Sequence, residues 1–202
     1  MRLTRRALLR SGSAVGLGAI AGCVSPPVPE SDDSLPTPSL GSTDAPVVVQ
    51  SFEDFTCGYC KQFALEIRPR IESEYVESGQ VRFERYDYPF LDEEWSWKAA
   101  SAARAVQAEH GSETFFDYAD RLYETEEDFS VELFGTLAAA VGADPETVEK
   151  AAREEQYRSR LEADRDLGDE RDVSKTPTVF VNGERPESPR YRHLAPAIDR
   201  LL

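Results

Sequence analysis

Two cysteines three positions apart, Cys57 and Cys60, are the residues whose type and spacing point most directly to chemistry. They enclose Gly58 and Tyr59, and the pattern around them places the pair at the start of a helix. The amide groups and dipole of a helix start favour an anion, so the outer thiol, Cys57, should ionise more readily than a free cysteine. The inner thiol, Cys60, lies one turn further along, where it can close a disulfide but is too covered to react first.

Three other uses of the pair are open from the residues alone. A structural disulfide across so short a loop would stabilise the fold little. Adding His110 and His193 gives the ligand count of a Cys₂His₂ metal site, but without finger-like spacing. The third is an anchored copper-binding chaperone, since copper(I) favours thiolates, although Met1 is the only methionine and no methionine cluster supports such a site. We read His110 as a helix-end residue and His193 as a surface residue of the last helix, and we expect neither a metal nor another cofactor.

Periodicity predicts the elements that position the pair. Residues 47–52 form an apolar, β-branched run typical of a buried strand, and residues 81–86 alternate as a second strand does. Between them a helix is expected to begin near Gly58 and to be kinked by Pro69. The apolar stripe of this helix comprises Phe63, Ile67, Ile71 and Tyr75.

The second half of the sequence predicts helices followed by one more strand and a last helix. A long helix should end at residues 110–111. Ser112, Ser130 and Asp144 are placed to cap three further helices, the last running to about residue 167. Residues 178–181 read as a strand, with a hairpin turn at 182–183 and a final helix near 193–202. The order of elements predicts an α/β sheet with a helical insertion at about 92–168.

The N-terminus has the layout of an export signal. Residues 1–22 contain four arginines and no acid, and the last twelve form a short apolar run. Residues 4–10, TRRALLR, resemble a twin-arginine signal, and residues 20–23, IAGC, resemble a lipobox, in which Cys23 receives lipid. We therefore expect export by the twin-arginine route and a lipid anchor at Cys23 on the outer face of the cytoplasmic membrane.

A proline-rich segment separates this signal from the folded part. Residues 23–45 are rich in Pro, Ser, Thr and acids and offer almost nothing to bury. We expect a disordered tether that reaches about 60 Å, at roughly 3.1 Å for each of about 20 residues. The folded domain is then expected at residues 46–202.

The charge of the chain excludes one class of partner. There are 38 acidic and 23 basic side chains in the whole chain, which makes a nucleic-acid partner improbable because phosphate binding needs a basic face. The acids are scattered along the sequence, which favours a solvated acidic surface over a patch for a basic partner. Such a surface resembles that of proteins from salt-loving archaea, where concentrated salt screens self-repulsion.

Three segments together resemble the DsbA-like branch of the thioredoxin superfamily. Residues 52–63 read FEDFTCGYCKQF, residues 79–89 read GQVRFERYDYP, and residues 176–183 read TPTVFVNG. They are similar to the family's active-site segment, its second strand, and its proline loop with the following strand. The resemblance implies a thioredoxin fold with an inserted helical subdomain, and thiol–disulfide exchange with client proteins that carry cysteines or disulfides. It also implies a membrane redox partner that recycles the cysteine pair.

The same resemblance implies that Pro177 follows a cis peptide bond and that Thr176 and Pro177 form a shelf for the substrate backbone. Two departures from the family pattern leave the direction of electron flow open. Ser51 stands where many members carry a buried acid, and either Glu53 or Asp54 is a possible substitute. Glycine and tyrosine separate the cysteines where strongly oxidising members have proline and histidine, which looks more like the disulfide isomerases. We expect oxidative folding of client proteins, with a disulfide reductase or isomerase of the same fold as the alternative.

Overall fold

The structure, a computed structural model, describes residues 35–202. The expected export signal at residues 1–22, the lipidation site at Cys23 and the tether up to residue 34 lie outside the described residues. No helix within residues 35–202 is both long and apolar enough to cross a membrane.

A mixed four-stranded sheet forms the centre of the fold. Its strands are β1 (Ser39–Leu40), β2 (Val47–Glu53), β3 (Val81–Asp87) and β4 (Thr178–Val181), in the order β1-β3-β2-β4. β2 and β3 are parallel, with Val49 opposite Phe83, whereas β4 runs antiparallel to β2, with Val179 opposite Ser51. The parallel pair requires a crossover connection, which the helix after the cysteine pair supplies. The strands predicted at residues 47–52, 81–86 and 178–181 are thus confirmed.

Strand β1 corrects the prediction that all of residues 23–45 form a disordered tether. β1 pairs antiparallel with β3, and the carbonyl of Pro38 accepts a hydrogen bond from the Arg85 amide at 3.0 Å. Leu35 packs against the hydrophobic core. Residues 35–45 therefore belong to the folded domain. The sequence does not reveal that these residues are folded, because backbone hydrogen bonds, which need no particular side chain, provide much of the pairing between β1 and β3.

The helix that carries Cys60 begins at Gly58, as predicted, and alternates between α-helical and π-helical turns. Its parts are α1 (Gly58–Gln62), a π turn (Phe63–Ile67), α2 (Arg68–Ile71) and a second π turn (Glu72–Val76). Pro69 is the second residue of α2, directly after the first π turn. A proline ring clashes with the carbonyl four residues earlier, and a π turn widens the helix at that point. The expected irregularity at Pro69 therefore takes the form of a π turn.

Four helices between β3 and β4 form the predicted insertion. They are α3 (Trp95–Glu124), α4 (Val131–Ala139), α5 (Pro145–Glu154) and α6 (Arg158–Glu170). The helix end expected at residues 110–111 is a kink within α3, where Gly111 has a φ of 84° that glycine adopts without steric penalty. Ser112, expected to cap a new helix, therefore lies within α3 directly after the kink. Ser130 caps α4 by accepting a bond from the Leu133 amide, and Asp144 caps α5 in the same way, as predicted.

The prediction of a single helix from residue 145 to about residue 167 is wrong. The chain leaves the helical conformation at Glu155, whose φ of 48° is left-handed, and resumes as α6 at Arg158. No glycine or proline marks this break in the sequence. It arises from packing, because α5 lies against α3 and α4 whereas α6 lies against α3 and β3.

The two faces of the sheet are covered by different parts of the chain. One face packs into the main core with the helix at 58–76 and with the last helix, α7 (Tyr191–Asp199). The other face buries a smaller aromatic cluster that includes Phe52 and Tyr88. Gly168 lets α6 approach this cluster closely, since a Cβ at that position would lie 2.7 Å from the Tyr88 ring.

Candidate active site

Cys57 is the residue at which the chain leaves the loop after β2 and enters α1. Its backbone is extended, with a φ of −88° and a ψ of 114°, and its carbonyl oxygen accepts bonds from the Cys60 and Lys61 amides at 3.0 Å each. The first amides of α1 follow it directly. The structure therefore places the cysteine pair at a helix N-terminus, as expected from the sequence, where the helix dipole favours negative charge.

The two thiols lie at different depths. Both are free, and Cys60 is completely buried whereas Cys57 retains 6% of its accessible surface. The sulfur of Cys57 lies 3.4 Å from the backbone oxygen of Thr176, to which it donates when it is protonated, and the sulfur of Cys60 accepts from the Asp54 amide at 3.5 Å. Between them, Tyr59 projects outward with 77% of its surface exposed.

The environment separates the acidities of the two thiols. The pKa of Cys57 is lowered to about 6, chiefly by a hydrogen bond from Cys60, with burial opposing the effect and contacts with Thr176 and with backbone amides adding to it. Burial raises the pKa of Cys60, and the hydrogen bond with Cys57 and the charge of Glu53 raise it as well. At neutral pH Cys57 is therefore mostly thiolate, the reactive form, and Cys60 is a protonated thiol.

The proline loop lies directly beside Cys57. The peptide bond between Thr176 and Pro177 is cis, which confirms the expectation drawn from the family resemblance. β4 begins at the next residue and pairs with β2, the strand that leads into Cys57, so the sheet holds the loop and the cysteine together. The predicted site residues within the described chain, the segment 57–60 and the pair 176–177, thus form one cluster.

The structure decides which acid lies behind the cysteine pair. The Glu53 carboxylate is buried, and its Oε1 accepts a bond from the Ser51 hydroxyl at 2.7 Å. The Asp54 carboxylate is also buried, but it is occupied by Ser96 and by the amides of Phe90 and Leu91. Glu53, whose charge acts on Cys60, is therefore the acid that lies behind the buried thiol. Asp54 instead stabilises the loop that contains Phe90 and Leu91.

Sequence reasoning missed two further residues of this site, Arg85 and Tyr123. The Tyr123 hydroxyl lies 3.2 Å from Glu53 Oε2. Burial raises the pKa of Tyr123, so the hydroxyl stays protonated and donates a hydrogen bond to the carboxylate. The Arg85 guanidinium lies 4.0 Å from Glu53 Oε2 and stacks 3.9 Å from the centre of the Phe55 ring. Alternation along β3 was the available signal for Arg85, because it puts residues 81, 83 and 85 on the same buried face. Tyr123 comes from the insertion and had no such signal.

The two histidines take local roles. Nδ1 of His193 lies 2.9 Å from the Ser188 hydroxyl near the start of α7, and Nε2 of His110 lies 3.2 Å from Glu109 beside the kink of α3. Within residues 35–202 no three His, Cys, Asp or Glu side chains are grouped so that they could hold a metal ion.

Comparisons with known proteins agree with this geometry. The thioredoxin family model matches residues 33–200. Disulfide bond formation protein D of Bacillus subtilis is 34% identical over 151 residues, which are 72% of this chain and 67% of that protein. The crystal structure of oxidised BdbD from Bacillus subtilis superposes with a TM-score of 0.76 at 30% identity, covering 82% of this chain and 92% of that one.

A second solved structure extends the likeness in fold. Chlamydia trachomatis DsbA has a TM-score of 0.76 at 20% identity, covering 88% of this chain and 97% of that one. The mixed sheet, the helical insertion and the cysteine pair facing a cis-proline loop are all present in residues 35–202. The chain therefore belongs to the thioredoxin family, and it is a DsbA-like thiol–disulfide oxidoreductase.

Proposed function

We propose that this protein forms disulfides in exported client proteins by passing them the disulfide of Cys57 and Cys60. The observation that carries the proposal is the arrangement of the pair, with Cys57 at the start of α1 beside the Thr176–Pro177 loop and Cys60 buried behind it. This arrangement lowers the pKa of Cys57 to about 6, and a stabilised thiolate makes the disulfide form a stronger oxidant. The attacking cysteine has a pKa of about 7 in thioredoxin and about 3.5 in DsbA, so the pKa of Cys57 lies between those of a reductant and a strong oxidant and nearer to that of the reductant. The similar Bacillus subtilis protein is a disulfide bond formation protein, which supports the direction.

The proposed reaction assigns a step to each residue of the cluster. A client thiolate attacks the sulfur of Cys57, the bond to Cys60 breaks, and Cys60 leaves and takes up a proton. A second client thiolate then attacks the mixed disulfide and releases Cys57 as a thiolate. The client loses two electrons and gains one disulfide, while the cysteine pair becomes a dithiol.

The surroundings support these steps. The cis-proline loop, whose Thr176 oxygen already lies 3.4 Å from Cys57, is placed to hold an extended client backbone beside the reacting sulfur. Glu53 and the Ser51 hydroxyl bonded to it form the buried polar pair that we assign to moving the proton of Cys60. The reduced pair must be reoxidised for turnover, and we assign this step to a redox partner in the membrane.

The N-terminal residues support a place for this reaction. The arginine-rich, acid-free start and the IAGC segment are typical of a lipoprotein exported by the twin-arginine route. We therefore propose that the domain works outside the cytoplasmic membrane, held there by lipid on Cys23. We expect Cys23→Ala to release the exported protein from the membrane fraction, whereas replacing both Arg5 and Arg6 by Lys should retain it inside the cell. Fractionation of cells that make each variant measures this, and equal membrane association of all three proteins would contradict the anchor.

The reduction potential of Cys57 and Cys60 tests the proposed direction. We expect a value above about −200 mV in equilibrium with thiol buffers, the range of a disulfide donor. A value near −270 mV would instead indicate a reductase and would overturn the proposal.

The potential should be measured in molar KCl, because we also propose that the acidic surface is adapted to concentrated salt. Circular dichroism in the same salt and in dilute buffer checks that point, and an unchanged spectrum after dilution would contradict it.

A further inference from the structure

Two grooves of different charge meet at the N-terminus of α1. The proline-loop groove, defined by Tyr59, Gln62, Lys175, Pro177 and Arg190, has a volume of about 360 Å³ and runs between α1 and the cis-proline loop. The insertion groove has a volume of about 300 Å³ and runs between α1 and the helical insertion. It is defined by Cys57, Asp92, Trp95, Glu127 and Asp128. A polypeptide that reaches Cys57 therefore has a groove available on either side.

The proline-loop groove carries positive charge and no acid. Its lining includes the cations of Lys175 and Arg190 and the exposed ring of Tyr59, with no Asp or Glu among the residues that line it. Lys175 and Arg190 are exposed, and neither forms an ion pair in the part of the chain that the structure describes. Glu187, on the same segment as Arg190, is directed towards His193 at 3.9 Å. On a chain with a net charge of −15, two cations without an ion-pair partner beside the active site form a local positive patch.

The insertion groove has the opposite character. Asp92, Glu127 and Asp128 line it, and its one cation, Lys61, is 3.2 Å from Glu126 and so already paired. Glu127 and Asp128 are exposed at the rim and form no ion pair within residues 35–202. The site therefore presents a negative side and a positive side to anything that lies across Cys57.

We propose that the site selects client segments whose charges complement the two grooves. Acidic side chains on one side of the client cysteine enter the positive proline-loop groove, and basic side chains on the other side enter the negative insertion groove. This inference rests on the proposed function, and it adds the chemical class of the substrate. Lys175 and Arg190 are the specificity-determining residues. They contact side chains that flank the client cysteine and not the reacting sulfurs, so they govern which segment binds, whereas pairing of the client backbone with the proline loop sets its direction.

Complementary charge mainly raises the association rate and the specificity of binding, and each exposed ion pair contributes little free energy. Two such pairs acting together correspond to a preference of about five-fold at low ionic strength. Salt shortens the range of these interactions to about 3 Å at 1 M, so only directly paired charges contribute there. The preference is therefore expected to fall, without reversing, as KCl is raised.

Two dithiol peptides of identical composition test the proposal. One carries two glutamates before its cysteines and two lysines after them, and the other has these flanks exchanged. Because their net charges are equal, the overall acidity of the protein acts on both alike. We expect the oxidised protein to react about five-fold faster with one peptide than with the other, at the lowest KCl concentration that preserves its circular dichroism spectrum. The readout is the second-order rate of reduction of the Cys57–Cys60 disulfide.

Matched variants separate the groove from general electrostatics. Replacing both Lys175 and Arg190 by Gln should lower the ratio of the two rates markedly, and replacing Glu127 by Gln and Asp128 by Asn in addition should bring it close to one. Replacing Lys150 and Arg200 by Gln removes the same charge from exposed positions outside both grooves and should leave the ratio unchanged. Equal rates for the two peptides, or a ratio that survives the substitution of Lys175 and Arg190, would overturn the proposal. A third peptide with uncharged flanks keeps it distinct from the proposed function, since failure to oxidise that peptide would reject the function itself.

Discussion

Replacing Cys57 by Ser is expected to abolish disulfide exchange, by about three orders of magnitude or more, because the thiolate that attacks and accepts disulfides is removed. Replacing Cys60 by Ser is expected to stop turnover differently, since the Cys57–Cys60 disulfide can no longer form. The Cys57 thiolate can still attack a client disulfide, and no second thiol of the protein then resolves the mixed disulfide. The Cys60→Ser protein should therefore accumulate mixed disulfides with clients, which non-reducing electrophoresis measures. Circular dichroism spectra that match the wild type serve as the control that both variants remain folded. Retained turnover in the Cys57→Ser protein would contradict the assignment of that residue.

The same pair of positions gives a test of how the thiolate is stabilised. The hydrogen bond from Cys60 is the largest cause of the lowered pKa of Cys57, so Cys60→Ala should raise the pH midpoint of Cys57 alkylation from about 6 towards the ordinary value of 9.0. Cys60→Ser keeps a hydroxyl donor and should stay closer to the wild type. The rate of alkylation of Cys57 followed across pH distinguishes them. Midpoints that stay near 6 in both variants would show that the helix N-terminus, and not Cys60, lowers the pKa of Cys57.

Replacing Arg104 by Met is expected to destabilise the protein by about 3–5 kcal/mol, the usual result when one partner of a buried ion pair is removed. Arg104 is fully buried in α3, and its guanidinium donates to Asp87 at 2.8 Å and to Asp164 at 2.5 Å. Without it, two buried carboxylates lose a shared cation at the junction of β3, α3 and α6. Chemical denaturation followed by circular dichroism measures the loss. The exposed pair of Arg153 and Glu149 supplies the control, and Arg153→Met should cost less than about 1 kcal/mol.

The pH dependence of the Arg104→Met protein provides an independent readout. Burial raises the pKa of Asp164, and Arg104 opposes that effect. Removing Arg104 therefore raises the pKa of Asp164 in the folded protein further above its unfolded value. A carboxyl group of this kind destabilises the fold when it is ionised and ceases to do so once it is protonated. The difference in stability between variant and wild type should thus shrink as the pH falls from about 7 to about 5. A constant difference would place the loss in packing and not in charge.

This buried network also connects the insertion to the active site. Asp87, which binds Arg104, is 3.2 Å from the guanidinium of Arg85, and Arg85 lies beside Glu53 behind Cys60. Tyr123 reaches the same carboxylate from the far end of α3. The helical insertion is therefore part of the polar surroundings of the buried thiol as well as one wall of a groove.

The position of the reactive pair was determined by the sequence alone. A strand of apolar residues, two cysteines three apart and an apolar stripe at every fourth position specify a strand, a loop and a helix start, all within about 30 residues. The Thr176–Pro177 segment was recognisable by resemblance, and the structure shows the cis bond and the contact with Cys57. These features depend on local periodicity or on a short motif, which a single sequence displays directly.

What only the tertiary structure decided depends on residues far apart in the chain. Glu53 and Asp54 are adjacent and both buried, and the choice between them rests on Ser96, Tyr123 and other partners that fold up from the insertion. The pairing of β1 with β3 rests on backbone hydrogen bonds, which leave no pattern in the side chains. The opposite charges of the two grooves likewise appear only when segments near 92, 127, 175 and 190 converge on α1, because charge along a chain does not reveal which side chains become neighbours in space.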